Sequence, residues 1–127
     1  MSQIPVTLLY GSLTALLLGA LGMNVSRMRG VKKASLGATP DEELLRVIRA
    51  HGNCSEWAPI MLFMLLLLEL CGAPSLRLHV LGGGIFLARV LHAAGFLSKS
   101  KISIVGASLT YMLSLGMPLY GLVLHFR

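Results

Sequence analysis

Of the 127 residues, 55% are apolar and only 13% charged, about half the charged share of an average soluble domain. A water-soluble globule of this size keeps much of its surface wet and could not hide so much apolar side chain, so the surplus has to face lipid. The net charge of +6 sits in short basic clusters beside apolar runs, as membrane-flanking charge does. No aromatic residues interleave with those clusters as a stacking platform for nucleic acid would require, and no nucleic-acid partner is expected.

At this length a single domain is expected, and the chain reads as an all-α, integral-membrane four-helix bundle. Residues 1–26 carry no charged side chain, and residues 4–25 are long enough to cross a hydrocarbon core of about 30 Å. A cleaved signal peptide would place its positive charge before the apolar run. Here Arg27, Arg29, Lys32 and Lys33 follow it, which favours a retained first helix. Thr39 and Pro40 read as the N-cap and first position of a second helix over 40–70. Asp41, Glu42 and Glu43 suit its positive end, and Thr39 and Glu42 have capping-box spacing. Cys71-Gly-Ala-Pro-Ser is a turn. A third helix spans 76–96, and a fourth spans 102–124 with Pro118 as a kink.

Four basic residues lie between helices one and two, and Lys99 and Lys101 lie between three and four. The positive-inside rule therefore puts both of those loops in the cytoplasm and both termini outside. Cys54 and Cys71 are 17 positions apart, roughly 25 Å along one helix, too far for a disulfide. Ala15 with Gly19, Gly82-Gly-Gly84, and Gly84 with Ala88 offer small faces for close helix packing.

Inside the second helix, Arg46, Arg49, Asn53 and Glu56 are spaced three, four and three apart, which places them on one face. Polar groups at that depth are costly and face a bundle interior or a wet cavity. Two readings fit. Arg49 and Glu56 neutralise neighbours and hold the bundle, or the stripe is a site for a polar, anionic ligand, with forked arginine donors for carboxylates and an amide that donates and accepts. In helix three, Arg89 and His92 share a face with Phe96 one turn on. A buried Arg89 demands a partner, and Glu56 is the expected one. His92 reads as a packed histidine, since no other histidine forms a ligand-spaced cluster with it and no metal site is expected. Glu69, near the outer end of helix two, reads as structural or interfacial.

The string Arg46-Val-Ile-Arg-Ala-His-Gly-Asn-Cys-Ser-Glu-Trp-Ala-Pro59 resembles the second-helix signature of the membrane-associated proteins in eicosanoid and glutathione metabolism, the MAPEG family, in the form typical of bacterial members. Leu87-Ala-Arg-Val-Leu-His-Ala-Ala-Gly-Phe96 looks like that family's third helix. The resemblance covers essentially the whole chain. It implies a bacterial inner-membrane homotrimer that binds glutathione at subunit interfaces near the cytoplasmic side and takes a hydrophobic small molecule from the bilayer. By that resemblance Arg29, Arg49, Asn53, Glu56, Trp57, Arg89, His92 and Phe96 fall at ligand-binding positions. The family's enzymes carry an arginine at the start of helix four that stabilises the glutathione thiolate, and Ser103 stands there instead, which makes it a weak catalytic candidate. Lys101 lies two residues away, on what reads as the wrong face. A thiol of pKa about 8.5 is mostly protonated at neutral pH without a nearby cation, so binding is better supported than catalysis.

The expected function is therefore a glutathione-binding membrane protein, a glutathione transferase or peroxidase acting on lipophilic electrophiles. The alternative is a non-catalytic membrane scaffold or lipid-binding relative. A small four-helix drug exporter is disfavoured, because those resemble one another in a glutamate on helix one and here that helix has no ionisable side chain. A reporter active only in the cytoplasm, fused after Arg127, is expected to be silent, and activity there would refute the topology.

Overall fold

Lipid offers no partner to backbone N–H and C=O groups, so a chain that crosses it must satisfy them within each segment. The computed structural model describes residues 3–127 and answers that demand with four helices: α1 (Pro5–Val31), α2 (Glu42–Leu70), α3 (Ser75–Leu97) and α4 (Ile102–His125). Each is long and apolar enough to cross a membrane. No strand occurs among the described residues. The protein is an all-α integral membrane four-helix bundle.

α1 runs beyond residue 25, where the sequence places its end, so Arg27 and Arg29 are helical rather than part of a loop. Arginine is a good helix former, and the Arg27 guanidinium bonds back to Asn24 Oδ1 at 2.9 Å. The 27 residues of α1 extend about 40 Å, so the last turns project past a hydrocarbon core of about 30 Å. At the other end, Ile4 supplies no side-chain cap. Glu69, from the end of α2, fills that role by accepting from the Val6 N–H at 2.8 Å and the Thr7 N–H at 2.7 Å. A carboxylate on a helix N-terminus satisfies orphan donors and complements the dipole. Glu69 is thus structural, as its position in the sequence suggests.

The capping expected from Thr39 and Pro40 is not the one formed. Asp41 is the N-cap of α2, accepting from the Leu44 N–H at 2.8 Å, and α2 begins at Glu42. Lys32 decides the matter by reaching across from the end of α1 to Asp41 at 2.6 Å and to Glu43 at 2.8 Å. Those bonds hold the Asp41 carboxyl below its ordinary range and raise the Lys32 ammonium above its own.

Three helices end in the same way. The Ala34, Ala73 and Ser100 amides reach back to the Arg29, Leu68 and Gly95 carbonyls at 3.0, 3.0 and 2.8 Å, each closing a Schellman turn. The left-handed residue that this turn needs is Gly72 in one case, but Lys33 (φ 51°) and Lys99 (φ 58°) in the others.

In cross-section the bundle is a rhombus. α2 and α3 pack across the short diagonal, while α1 and α4 occupy far corners and do not touch each other among the described residues. Small residues set the closest approaches. Tyr10 of α1 lies over Gly82, where a Cβ would fall 2.2 Å from the ring. α3 and α4 press together at Gly95 and Gly106, where a Cβ would stand 2.2 Å from the Ser103 nitrogen and 2.4 Å from the His92 nitrogen. Of the expected small faces, Gly82 and Gly84 are used, whereas Gly19 has open space around it. Cys54 is buried and Cys71 exposed, both as free thiols.

Gly106→Ala should lose stability in detergent by about 1–3 kcal/mol, the usual cost of overpacking. Gly116→Ala, at a site with nothing within 4 Å, should be neutral or gain up to about 1 kcal/mol from helix propensity. Equal unfolding midpoints for the two variants would refute the α3–α4 contact.

Candidate functional site

Arg89 is 1% exposed, and an ionised side chain at that depth survives only with partners. It has two, from different helices. Asn53 Oδ1 on α2 accepts from Nη1 at 2.6 Å, and the Thr110 hydroxyl on α4 accepts from Nη2. Thr110 sends its own proton to the Gly106 carbonyl at 2.7 Å, which leaves its lone pairs for the guanidinium. Three helices are thereby clamped at one level. Both partners are neutral, and Nε stays buried without a hydrogen bond.

The expected Arg89–Glu56 pair does not form. Glu56 instead takes Arg49, two turns back on the same helix, with contacts of 3.2 and 3.4 Å. Helical spacing explains the change. Asn53 lies on the flank of α2 that meets α3, and Glu56 lies beside it on the open flank. The Arg49 and Glu56 side chains are 47% and 54% exposed, so this pair is loosely held, with both charges reachable.

The same helix lends Asn53 and Trp57 to a small polar cavity of about 40 Å³, lined also by Arg89, His92, Thr110 and Tyr111. Four of the seven ligand-position residues on α2 and α3 therefore share one cavity. Trp57 meets Tyr111 edge to face, with centroids 5.4 Å apart, and the buried His92 ring stacks on Phe96 at 5.5 Å. His92 is a packed histidine, as its isolation in the sequence suggests. Phe96 faces a second cavity, described below.

Arg29 is engaged elsewhere, donating to the Ser35 carbonyl at 3.3 Å. Ser103 also stands apart from the small cavity. Its hydroxyl donates to the Ser100 carbonyl at 3.1 Å, and it lines a separate basic cavity together with Arg46 and Lys101. Lys101, the N-cap of α4, thus lines the same cavity as Ser103, contrary to the helical-wheel expectation.

Sequence reasoning missed Thr110 and Tyr111. The available signal was Gly106 and Thr110, four residues apart in an otherwise apolar span. A threonine that bonds back to its own helix is common enough that the pattern alone does not mark a partner for an arginine. His51 packs beside Gly22 of α1, where a Cβ would stand 3.3 Å from its Nε2.

Asn53→Ala and Thr110→Val should each destabilise by about 1.5–3 kcal/mol, the range for hydrogen bonds to a charged group. The double variant should fall short of the sum, because both serve one guanidinium. Arg49→Ala should cost less than about 1 kcal/mol, as for exposed pairs. Denaturant unfolding in mixed micelles measures all four, and strict additivity would refute the shared clamp.

The sequence profile described as the MAPEG family matches residues 7–124. The inner membrane protein YecN of Escherichia coli strain K12 is 35% identical over 91 residues, which cover 72% of this chain and 70% of that protein. YecN of E. coli O6:H1, strain CFT073, matches to the same extent. With nearly the whole chain under the family profile, and with the signatures of helices two and three converging on one polar cavity, the protein belongs to the MAPEG family.

Proposed function

We propose that this protein binds glutathione in a pocket opening beside Arg49 and Glu56, and that it acts on lipophilic electrophiles as a glutathione transferase or peroxidase. The observation that carries the reading is the half-exposed Arg49–Glu56 pair on the same helix that lends Asn53 and Trp57 to the polar cavity shared with Arg89 and His92. Glutathione presents two carboxylates and one ammonium. A guanidinium and a carboxylate that satisfy each other only loosely are suited to exchange partners with such a ligand. In this reading Arg49 takes a carboxylate and Glu56 takes the ammonium. Trp57 and His92 shape the pocket, Phe96 backs His92, and Arg29 serves the pocket of a neighbouring subunit in a homotrimer.

Buried Arg89 keeps its positive charge uncompensated by any carboxylate. A thiol brought to that cavity would lose its proton more readily beside it, which supplies the cation that Ser103 cannot. In transfer, the sulfur lone pair forms a C–S bond at the electrophilic carbon, the leaving group departs with its bonding electrons, and the thiol proton passes to water. The apolar surface gives lipophilic substrates an approach from the bilayer. An inner-membrane location, with the α1–α2 and α3–α4 loops in the cytoplasm, follows the loop charge and the name of the relative.

The second reading, a scaffold or lipid-binding protein without chemistry, is favoured by Ser103. Saturable glutathione binding to detergent-solubilised protein is expected, weakened about tenfold or more in Arg49→Ala and Glu56→Ala, since a charge-assisted hydrogen bond contributes about 1.5–3 kcal/mol. Unchanged affinity in both variants would dismiss the site. With binding in hand, thioether formation on a generic aryl halide separates the enzyme from the scaffold.

A further inference from the structure

The second polar cavity is larger, about 280 Å³, and lies where the start of α2, the end of α3 and the first turn of α4 meet. Its wall carries three cations, Arg46, Lys99 and Lys101, with the hydroxyl-bearing Ser100 and Ser103, and Phe96 is the aromatic surface beside them. Glu42 alone among the described residues offsets this charge, pairing with Arg46 and, at 3.6 Å, with Lys99. Among the described residues Lys101 has no carboxylate within 4 Å, and Arg46 Nε is buried without a hydrogen bond. The first turn of α4 holds no acidic residue, and its N-cap Lys101 gives no side-chain cap, the Ser100 hydroxyl accepting from the Ile102 N–H at 3.3 Å instead. Ile104, on the cavity's edge, is 63% exposed.

We propose that this cavity binds a phosphate-type anion, the headgroup phosphate of an anionic phospholipid entering sideways from the membrane. Three cations against one carboxylate leave a surplus of two positive charges on its wall. Basic pockets between helices at the membrane surface are the usual seats of anionic headgroups. A guanidinium gives forked donors to phosphate oxygens, and the lysines add point charge. Phe96 and Ile104 offer apolar surface to the glycerol and upper acyl chain. The cavity exists because Gly95 lets the first turn of α4 sit directly on α3. Its lining shares no residue with that of the Asn53–Arg89–His92 cavity, although Phe96 stacks on His92 between the two, and competition with glutathione separates the two assignments.

Native mass spectrometry of protein taken from micelles with equal phosphatidylglycerol and phosphatidylcholine should show phosphatidylglycerol retained selectively. Retention should fall about fivefold in Lys101→Gln and again in Arg46→Gln, as expected for loss of one interfacial charge each. It should change less than twofold in Lys33→Gln, which removes a basic residue outside the cavity, and not at all in Arg49→Ala. A parallel titration with inorganic phosphate in neutral detergent identifies the source. A thermal shift lost in Lys101→Gln without lipid retention would uphold the anion site with a soluble ligand. Equal loss in Lys33→Gln, no selectivity for either anion, or displacement of the lipid by glutathione would overturn the proposal.

Discussion

A guanidinium buried in a bundle that offers it no carboxylate is the constraint around which this protein is arranged. Removing such a charge from water is expensive even with partners, and among the described residues Arg89 finds only neutral acceptors, the side-chain and main-chain oxygens of Asn53 and the Thr110 hydroxyl. Those partners come from α2 and α4, so the arginine of α3 fixes the relative height of three helices. The same arrangement leaves the cavity beside it positive. Architecture and chemistry therefore meet in one side chain.

The two ends of the bundle meet the same demand differently. At the end that carries the basic loops, the acidic start of α2 is shared out among Lys32, Arg46 and Lys99, which ties the α1–α2 and α3–α4 connections to one helix terminus. These contacts are exposed, and each contributes little alone. At the other end a single carboxylate, Glu69, closes the N-terminus of α1 through two backbone amides. The helix whose own N-cap residue, Ile4, offers no side-chain cap borrows one from a neighbour.

Polar side chains on α2 divide by flank. Asn53 turns toward α3 and becomes part of the frame, whereas Arg49 and Glu56 stay on the open side and hold each other loosely. The frame is what a ligand would press against, and the loose pair is what it would displace. Arg46, one turn earlier, belongs to neither group and faces the basic cavity at the α3–α4 connection.

Composition and the spacing of apolar runs alone determined the four helices, because a 30 Å hydrocarbon layer admits few other solutions for such a chain. The motif on α2 and the Arg89–His92 pair on α3 were legible for the same reason, since charge in an apolar run stands out. Partner identity was not legible. Sequence offered Glu56 to Arg89 on charge alone, and only packing could show that Asn53 and Thr110 are nearer. Cap partners were missed where the decisive contact is long-range, as with Lys32 on Asp41 and Glu69 on α1. Local spacing constrains one helix at a time, whereas the depth of a charge and the neighbour that meets it depend on how the helices are set against one another.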